Sequence, residues 1–516
     1  MNLASIVDPH DADSTAIISR GRATSYGDLR HQIEAFRGSL MHMEIKPGDR
    51  VAMLCGNGRW FVVAYFATVG MGAIAVPLNP LSPTPELEGE LEAVDPIAVL
   101  VEASGVPSFS RVDRSKLVSL RQIIITDENS AEAVRNPGPG REVLNHDKSV
   151  HEVTIHTFDE LLQGPPTKWV SLPDHTPAVL MFTSGTAGSP RAAILTHGNL
   201  LENICQNNST SDKIRSDDVV FGILPMFHIF GLNVVLGMSL MAGACVVLVQ
   251  RFDPVTAVET IAERKITVMP GAPPVWVALS LMEDVDPAIF STVRIALTGA
   301  ARMPDDAAER MQRKFGVQLR EGYGLTEAAP VVTSSVGIEV KRGSVGRALD
   351  GVEVRVVDEN AEDVPVGDSG EVWVRGPNVF EGYWKDAEAT ARVLDEDGWL
   401  HTGDIAMVDD DGYLYLVDRA KDLIIVSGFN VYPAEVEDVL LRHPAVAEAG
   451  VVGVVHPHTG EAVRAFVVLH PGAEADEDAL IDHCHDHIAR YKCPSKVLVV
   501  DELPRNVSGK LLRRAL

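Results

Sequence analysis

Hydroxyl-bearing and glycine residues crowd one short stretch of the chain, TSGTAGSPRAA, which runs from Thr183 to Ala193. Its hydroxyl groups, and the backbone N–H groups that its glycines leave accessible, are donors that can wrap an anionic group at the end of a strand. Arg191 adds one positive charge. The stretch is not a Walker A loop, because the G-x-x-x-x-G-K-[ST] spacing is absent. Alone, it predicts either an anion-binding loop or a flexible surface turn.

A second stretch, EGYGLTEAAP, combines an aromatic residue with potential phosphate and metal ligands. Tyr323 lies between two glycines, where its ring can stack on a base. Thr326 can donate to a phosphate oxygen, and Glu327 is a hard oxygen ligand of the kind that Mg²⁺ takes. The alternative is a helix entry with a threonine cap.

A third stretch, WLHTGDIA, places Asp404 after Gly403 at a predicted strand end. A carboxylate can accept hydrogen bonds from both hydroxyls of a ribose. The stretch therefore predicts a ribose ligand, with an ordinary turn aspartate as the alternative.

Basic residues near the carboxyl end form two more candidates. The stretch LVDRAKDLIIVSGFNVYP contains Arg419, Lys421 and Gly428, and LPRNVSGKLLRR places Lys510 after a glycine. A lone lysine in such a position is usually a solvated surface charge.

The elements that must position these residues are short apolar runs between helix-like stretches. RVAMLC, AIAVPL, KITVMP and VRIALTG are continuous apolar runs of strand length. Such runs are typical of parallel sheets that are covered on both faces. After Gly343 the pattern changes to strands with tight turns, which predicts an antiparallel β subdomain. From about Asp418 the pattern predicts a small domain of strands and helices.

The composition limits the classes of partner. The 516 residues include 45 basic and 72 acidic ones, for a net charge of −27, and such a chain repels a nucleic-acid backbone. The five cysteines show no C-x-x-C spacing, which favours a reducing cytoplasm over a secreted disulfide scaffold. The first residues lack the pattern of an export signal.

Two further stretches raise other hypotheses. The uncharged residues 229–249 predict a buried helix from Ile229 to Met241, a turn at Gly243 and a strand; this helix is too short to cross a bilayer, so we expect no integral membrane segment. His483 and His487 are spaced to share a helix face, but no further ligand set converges on them, and we predict an ordinary surface helix.

Taken together, these stretches resemble the adenylate-forming acyl-activating enzymes, which include acyl-CoA synthetases, peptide-synthetase adenylation domains and beetle luciferases. TSGTAGSPRAA resembles their phosphate loop, YGLTE their adenine and magnesium motif, HTGD their ribose motif, DRAKD their hinge, and PRNVSGK the loop of their catalytic lysine. TSYGDL, AVPLNP, GSVGR and GEVWVRG also fit. The motifs occur in family order from about Thr24 to Lys510, which is nearly the whole chain.

The resemblance implies an α/β fold. We expect a large N-terminal domain, residues 1–417, of two doubly wound sheets plus a β-barrel-like subdomain, and a small mobile C-terminal α+β domain, residues 418–516, with a hinge at Lys421. It also implies that ATP, Mg²⁺ and coenzyme A take part. The residues implied to bind ATP or AMP are Thr183, Ser184, Gly185, Thr186, Gly188, Arg191, Gly322, Tyr323, Gly324, Thr326, Asp404 and Arg419.

The implied reaction has two half-reactions. A carboxylate attacks the α-phosphate of Mg·ATP to give an acyl-adenylate and pyrophosphate, and a thiol, normally that of coenzyme A, then displaces AMP. The implied catalytic residues are Lys510, Glu327, His228 and Thr183, with Glu327 as the metal ligand. Ser427 and Gly428 are implied to border the coenzyme A tunnel after a domain swing.

The acyl side is predicted from PMFHIFGLNVV and TGAARMP. The residues expected to line it are His228, Gly231, Gly299, Ala300 and Ala301. Small residues and an apolar lining, with Arg302 as the one exception, favour a medium- or long-chain fatty acid. A bulky apolar or aryl acid remains open.

Other readings within and outside this class also remain open. One alternative within the class is a fatty acyl-AMP ligase, which hands its acyl group to a carrier protein, but the sequence shows no extra inserted segment before the hinge of the kind those proteins carry. A non-catalytic adenylate-binding protein is suggested by two departures in the phosphate loop, where the family usually has Lys at Arg191 and Gly at Ala192. The expected location is cytoplasmic, or peripheral at a membrane for a long-chain substrate, and the sequence leaves a homodimer open.

Overall fold

The protein divides into two compact units. The computed structural model describes residues 1–135, 153–183, 191–419, 422, 424–426, 429–456, 460–488, 490–505 and 510–516. The larger unit comprises Met1–Glu339, Leu349–Val352 and Gly376–Leu394, and the smaller unit comprises Val340–Ala348, Glu353–Arg375 and Asp395–Leu516. The domain boundary that the sequence suggests near residue 418 stays a prediction.

The first sheet of the larger unit has the strand order β7-β6-β5-β3-β4-β8-β9. Its strands are β3 (Arg50–Leu54), β4 (Ile74–Leu78), β5 (Ala98–Val101), β6 (Gln122–Ile125), β7 (Thr154–Thr157), β8 (Pro177–Thr183) and β9 (Arg191–Thr196). All pairs are parallel except β8 with β9. The chain winds outward from β3 in both directions, so this sheet is doubly wound as expected.

The second sheet of the larger unit contains, in spatial order, β15-β14-β13-β12-β10-β11-β1-β2. Its strands are β1 (Thr15–Ser19), β2 (Arg22–Ser25), β10 (Val219–Gly222), β11 (Cys245–Leu248), β12 (Val268–Gly271), β13 (Ile295–Thr298), β14 (Leu319–Gly324) and β15 (Val331–Ser334). Six neighbouring strands of this sheet run parallel: β14, β13, β12, β10, β11 and β1. The edge strands pair antiparallel, β2 with β1 and β15 with β14.

Helices connect the parallel strands and bury their apolar faces against the sheets. Those of the larger unit are α1 (Tyr26–His42), α2 (Arg59–Gly70), α3 (Thr84–Val94), α4 (Val106–Phe109), α5 (Asn129–Arg135), α6 (Phe158–Leu161), α7 (His197–Asn208), α8 (Met238–Ala242), α9 (Pro254–Arg264), α10 (Pro273–Leu281), α11 (Asp305–Phe315) and α12 (Ala387–Ala391). Short 3₁₀ turns lie at Leu3–Val7, Arg114–Lys116, Pro287–Thr292 and Thr326–Ala328. Among the described residues, no helix has both the length and the apolar character that a membrane crossing needs.

The smaller unit contains the predicted antiparallel subdomain and the predicted small α+β domain. The antiparallel subdomain is a four-stranded sheet with the order β17-β18-β19-β20. The sheet of the small α+β domain has the order β22-β21-β24-β23, and β25 pairs with β24 in parallel. The elements are β16 (Arg347–Ala348), β17 (Glu353–Val357), β18 (Gly370–Arg375), β19 (Leu400–Val408), β20 (Leu414–Arg419), β21 (Ile424–Val426), β22 (Phe429–Val431), α13 (Pro433–Leu441), β23 (Val446–His456), β24 (Gly460–Leu469), α14 (Glu477–His487) and β25 (Lys496–Val499), with 3₁₀ turns at Arg490–Lys492 and Arg513–Ala515.

The uncharged stretch after His228 is helical, as predicted, but its first part is a π-helix, Phe230–Gly237, that continues into α8. Gly243, at φ +79°, ends α8 before β11. Inside the π-helix, the buried Asn233 amide donates to the carbonyl oxygens of Leu200, at 3.1 Å, and Ala329, at 2.7 Å. These long-range contacts help to hold the wide helical turn, and π-turns often mark functional sites.

Candidate active site

The two ends of the predicted phosphate loop are the two strands of one hairpin. Thr183 is the last residue of β8, Arg191 is the first of β9, and they are directly opposite each other. Ser184, Gly185, Thr186 and Gly188 lie outside the described residues. The described strands thus deliver Thr183 and Arg191 to the same end of the first sheet.

Both departures from the family's phosphate loop are accommodated within regular strand structure. Ala192 pairs with Phe182 in the ladder, and its side chain is buried in the apolar core beside the first sheet. It therefore needs none of the conformational freedom of glycine. The Arg191 guanidinium forms an ion pair through Nε with Asp386 Oδ2 at 3.3 Å.

Glu327 lies in a 3₁₀ turn, Thr326–Ala328, that follows β14. Leu325 precedes the turn without capping it through its side chain, so the alternative of a threonine-capped helix entry is not what the structure shows. Amide groups from other elements hold this turn. Asn378 Nδ2 donates to Ala328 O at 2.8 Å, and Asn233 Nδ2 donates to Ala329 O.

The Glu327 carboxylate is partly buried and is oriented by one hydrogen bond, because the Tyr383 hydroxyl donates to its Oε1 at 2.7 Å. A carboxylate oxygen is a type of ligand that suits Mg²⁺. The described residues hold no group of three or more His, Cys, Asp or Glu side chains that could bind a metal by themselves. A single carboxylate fits Mg²⁺ only when phosphate oxygens supply other ligands.

Glycines surrounding Tyr323 permit close approach of the backbone. Tyr323 is buried and pairs with Thr333 on β15. A side chain at Gly324 would begin 2.2 Å from Pro330 O, and one at Gly322 would begin 3.0 Å from Thr333 O. Tyr323, the residue predicted to stack on a base, therefore lies at the closely packed end of β14.

Glu321 was not singled out from the sequence, yet its environment is unusual. The pKa of its carboxyl is raised to about 7, first by burial and then by the negative charge of Asp305, while Arg302 and a hydrogen bond from the Met303 backbone oppose the rise. An unfolded carboxyl ionises near pH 4.5, so the folded state binds the extra proton between about pH 4.5 and 7. The free energy of unfolding therefore falls as pH rises from about 4.5 to 7, and above pH 7 the full cost of burying the ionised carboxylate is present.

We accordingly expect Glu321→Gln to raise the free energy of unfolding by about 3 kcal/mol at pH 8 and by little at pH 4. Denaturant midpoints across pH 4–8 measure the effect, and Glu309→Gln, at an exposed position on α11, controls for the change in net charge. A gain that is independent of pH would contradict the assignment.

The two stretches that are predicted to line the acyl side meet in the larger unit. A side chain at Gly299 would begin 3.3 Å from the Phe230 ring and 3.4 Å from Gly322 O, so the π-helix, β13 and β14 come together there. Ala301 is partly buried, whereas Ala300 is exposed, with φ +69°. His228 is partly buried directly before the π-helix, and its Nδ1 accepts from Phe230 N at 3.2 Å.

Gly231 is required by close backbone contact. A Cβ there would lie 2.1 Å from Pro225 O and 2.7 Å from Leu224 O. We expect Gly231→Ala to lower the free energy of unfolding by about 3 kcal/mol, because the backbone of 224–225 must move. Gly58→Ala, where the nearest atom would be 3.8 Å away, is the matched control and should cost less than about 1 kcal/mol. Equal denaturant midpoints for the two variants would refute the explanation.

In the smaller unit, two predicted nucleotide ligands are neighbours across a strand pair. Asp404 is opposite Arg419 in the register of β19 and β20. The expected strand end at Asp404 is wrong, because β19 runs from Leu400 to Val408 and passes through Gly403 at φ +68°. Only 5% of Asp404 is exposed, so this residue is a buried part of the sheet and does not lie on a surface turn.

Lys510 lies on a chain segment that is anchored to the body of the smaller unit. Arg505 and Leu511 form an antiparallel bridge on either side of it. Arg513 Nη2 is 2.8 Å from both carboxylate oxygens of Glu437, on α13. Lys510 itself is partly buried. Lys421, Ser427 and Gly428 lie outside the described residues.

The histidines of α14 contact backbone carbonyl groups and each other, and the absence of a metal site there stays a prediction. His483 Nε2 lies 3.0 Å from Val439 O, and His487 Nδ1 lies 2.7 Å from His483 O. The His483 and His487 rings are in contact, with centroids 4.3 Å apart.

Two family models match the chain. The family model described as AMP-binding enzyme matches residues 7–384, and the one described as AMP-binding enzyme C-terminal domain matches residues 435–510. The chain is 32% identical to a long-chain-fatty-acid–CoA ligase of Bacillus subtilis, over 98% of this chain and 91% of that protein. It is 35% identical to a feruloyl-CoA synthase of Amycolatopsis sp., over 98% and 95%.

A solved structure agrees over the whole length. ATP-bound MatB from Rhodopseudomonas palustris matches with a TM-score of 0.87 and 30% identity, covering 100% of this chain and 98% of that one.

Proposed function

The chain belongs to the family of AMP-binding enzymes, in its acyl-CoA synthetase branch, and on that premise we propose that it activates an apolar carboxylic acid, foremost a medium- or long-chain fatty acid. It is an AMP-forming acid–thiol ligase that uses ATP and coenzyme A. One observation carries the proposed site. Arg191 and Glu327, distant in sequence, both contact Tyr383, so the proposed phosphate-binding cation and the proposed metal-binding carboxylate lie beside one side chain.

In the first half-reaction, this chain's residues bring together two anions. The residues Thr183 to Arg191 would hold the triphosphate, and Glu327 would hold Mg²⁺, which screens the phosphate charge. Tyr323, Thr326, Asp404 and Arg419 would fix the nucleoside, so that positioning supplies much of the rate. Lys510 would contact both the substrate carboxylate and the α-phosphate, where negative charge develops. The carboxylate oxygen then bonds to the α-phosphorus as pyrophosphate leaves.

In the second half-reaction, the thiolate of coenzyme A attacks the acyl carbon and AMP leaves. We propose that rotation about Lys421 withdraws Lys510 and brings the strand of Ser427 and Gly428 to the thiol's path. Domain movements of this kind let one site perform two reactions in turn.

The preference for a fatty acid rests on the acyl wall. At Gly299 the backbone packs closely against the Phe230 ring, which would lie 3.3 Å from a Cβ there, so this wall presents apolar surface. Arg302 is exposed. An aryl acid is the second candidate, because a feruloyl-CoA synthase is as similar to this chain as the fatty-acid ligase is.

The test is pyrophosphate release over a panel of acids with Mg·ATP, with and without coenzyme A, and mass measurement of the acyl-CoA product. We expect kcat/KM for C8–C16 fatty acids to exceed that for aryl acids such as ferulate by at least about tenfold. The reverse ranking would establish the aryl reading. Adenylate that accumulates without thioester would indicate a carrier-protein acceptor, and ATP binding without turnover of any acid would indicate an adenylate-binding protein.

A further inference from the structure

A segment before α12 extends the first sheet beyond β9. Tyr383 forms an antiparallel bridge with Ala193. Ile194 N donates to Gly382 O at 2.9 Å, and Trp384 N donates to Ala192 O at 2.8 Å. Residues 381–384 therefore lie along β9, immediately beside the base of the phosphate loop.

This pairing places the Tyr383 side chain between two predicted phosphate-site groups. Its hydroxyl donates to Glu327 Oε1 at 2.7 Å, and the Arg191 guanidinium carbon lies 5.8 Å from its ring centroid. In this hydrogen bond the hydroxyl is the donor and the carboxylate oxygen is the acceptor, because an ionised carboxylate can only accept.

Asp386 completes the arrangement from the other side. Its Oδ2 pairs with Arg191 Nε, and its Oδ1 accepts from Ala389 N at 2.9 Å at the start of α12. The ion pair therefore holds Arg191 through its Nε. Because the guanidinium group is planar, this contact also restricts the orientation of its two terminal nitrogens. Tyr383 packs against Phe380, with the two ring centroids 5.0 Å apart, and this contact needs the ring but not the hydroxyl.

We propose that Tyr383 is a positioning residue for the metal–triphosphate complex, and this inference rests on the proposed function. Its hydroxyl occupies one oxygen of Glu327 and so directs the other oxygen toward the metal, while its ring supports Arg191 beside the same phosphates. A hydrogen bond to a charged group contributes enough to change a binding constant by about tenfold or more.

The experiment compares wild type with Tyr383→Phe, which keeps the ring and its packing. Binding of Mn²⁺·ATP is measured by the electron paramagnetic resonance signal of free Mn²⁺, and binding of AMP by calorimetry. We expect the dissociation constant for Mn²⁺·ATP to rise about tenfold and that for AMP to stay unchanged, since AMP carries no β- or γ-phosphate. Thioester formation from supplied acyl-adenylate should also be unchanged.

Tyr415→Phe is the matched control, because the Tyr415 hydroxyl donates to the carboxylate of Asp409 at 3.1 Å in the smaller unit, away from these residues in sequence and fold unit. It should alter none of the three measurements. Unchanged Mn²⁺·ATP affinity in Tyr383→Phe, or an equal loss of Mn²⁺·ATP and AMP affinity, would overturn the inference. These binding measurements do not require turnover, so a wild type that activates no acid would refute the proposed function without deciding the role of Tyr383.

Discussion

Lys510→Ala is expected to slow acyl-adenylate formation by about 10²- to 10³-fold while thioester formation from supplied acyl-adenylate continues near the wild-type rate. The reason is electrostatic. In the first step a carboxylate approaches the α-phosphate, and an ammonium group stabilises the charge that develops between them. In the second step the thiol attacks an acyl group that is already activated, and the adenylate leaves without needing that cation.

Rapid-quench assays of each half-reaction measure the two effects separately. Lys496→Ala is the matched control, because Lys496 is exposed on β25 of the same unit. Normal adenylation by Lys510→Ala would exclude the proposed catalytic role. Equal losses in both half-reactions would point to damage to the fold.

Glu327→Gln should lower adenylation by about 10²-fold or more, because an amide keeps the shape of the side chain and can accept from Tyr383 but cannot supply a charged ligand to Mg²⁺. The loss should be largest at low Mg²⁺ and should shrink as Mg²⁺ is raised. Thioester formation from supplied acyl-adenylate, which needs no triphosphate, should be unaffected.

The measurement is the initial rate of pyrophosphate release as a function of Mg²⁺ concentration. Glu381→Gln, at an exposed position two residues before Tyr383, controls for the loss of one negative charge near the site. A rate deficit in Glu327→Gln that is the same at every Mg²⁺ concentration would argue against a metal ligand.

The buried parallel strands were readable from the sequence because continuous apolar runs are typical of such strands. The loop that begins at Thr183 was predicted at the end of a strand, and Thr183 is the last residue of β8. The order of the motifs along the chain then indicated the reaction class. These signals are local in the sequence, so they can be recognised without knowledge of the tertiary contacts.

What the sequence did not reveal depends on non-local contacts. Tyr383 pairs with a strand that lies far earlier in the chain, and its EGYWKD context gave only a glycine beside aromatic residues as a signal. The π-helix shares its apolar composition with an α-helix, so periodicity could not distinguish them. HTGD has the composition of a turn, yet β19 passes through Gly403, at φ +68°, and continues to Val408. The raised pKa of Glu321 comes from burial beside groups outside its own strand.

The ion pair between Arg513 and Glu437 has a consequence for the positioning of the Lys510 ammonium group. A lysine on a loose tail would have to lose much chain entropy each time it met its substrate. Here the segment that follows Lys510 is tied to α13 by this ion pair. We therefore expect the Arg513–Glu437 pair to reduce the entropy that is lost when the Lys510 ammonium group meets the reactants.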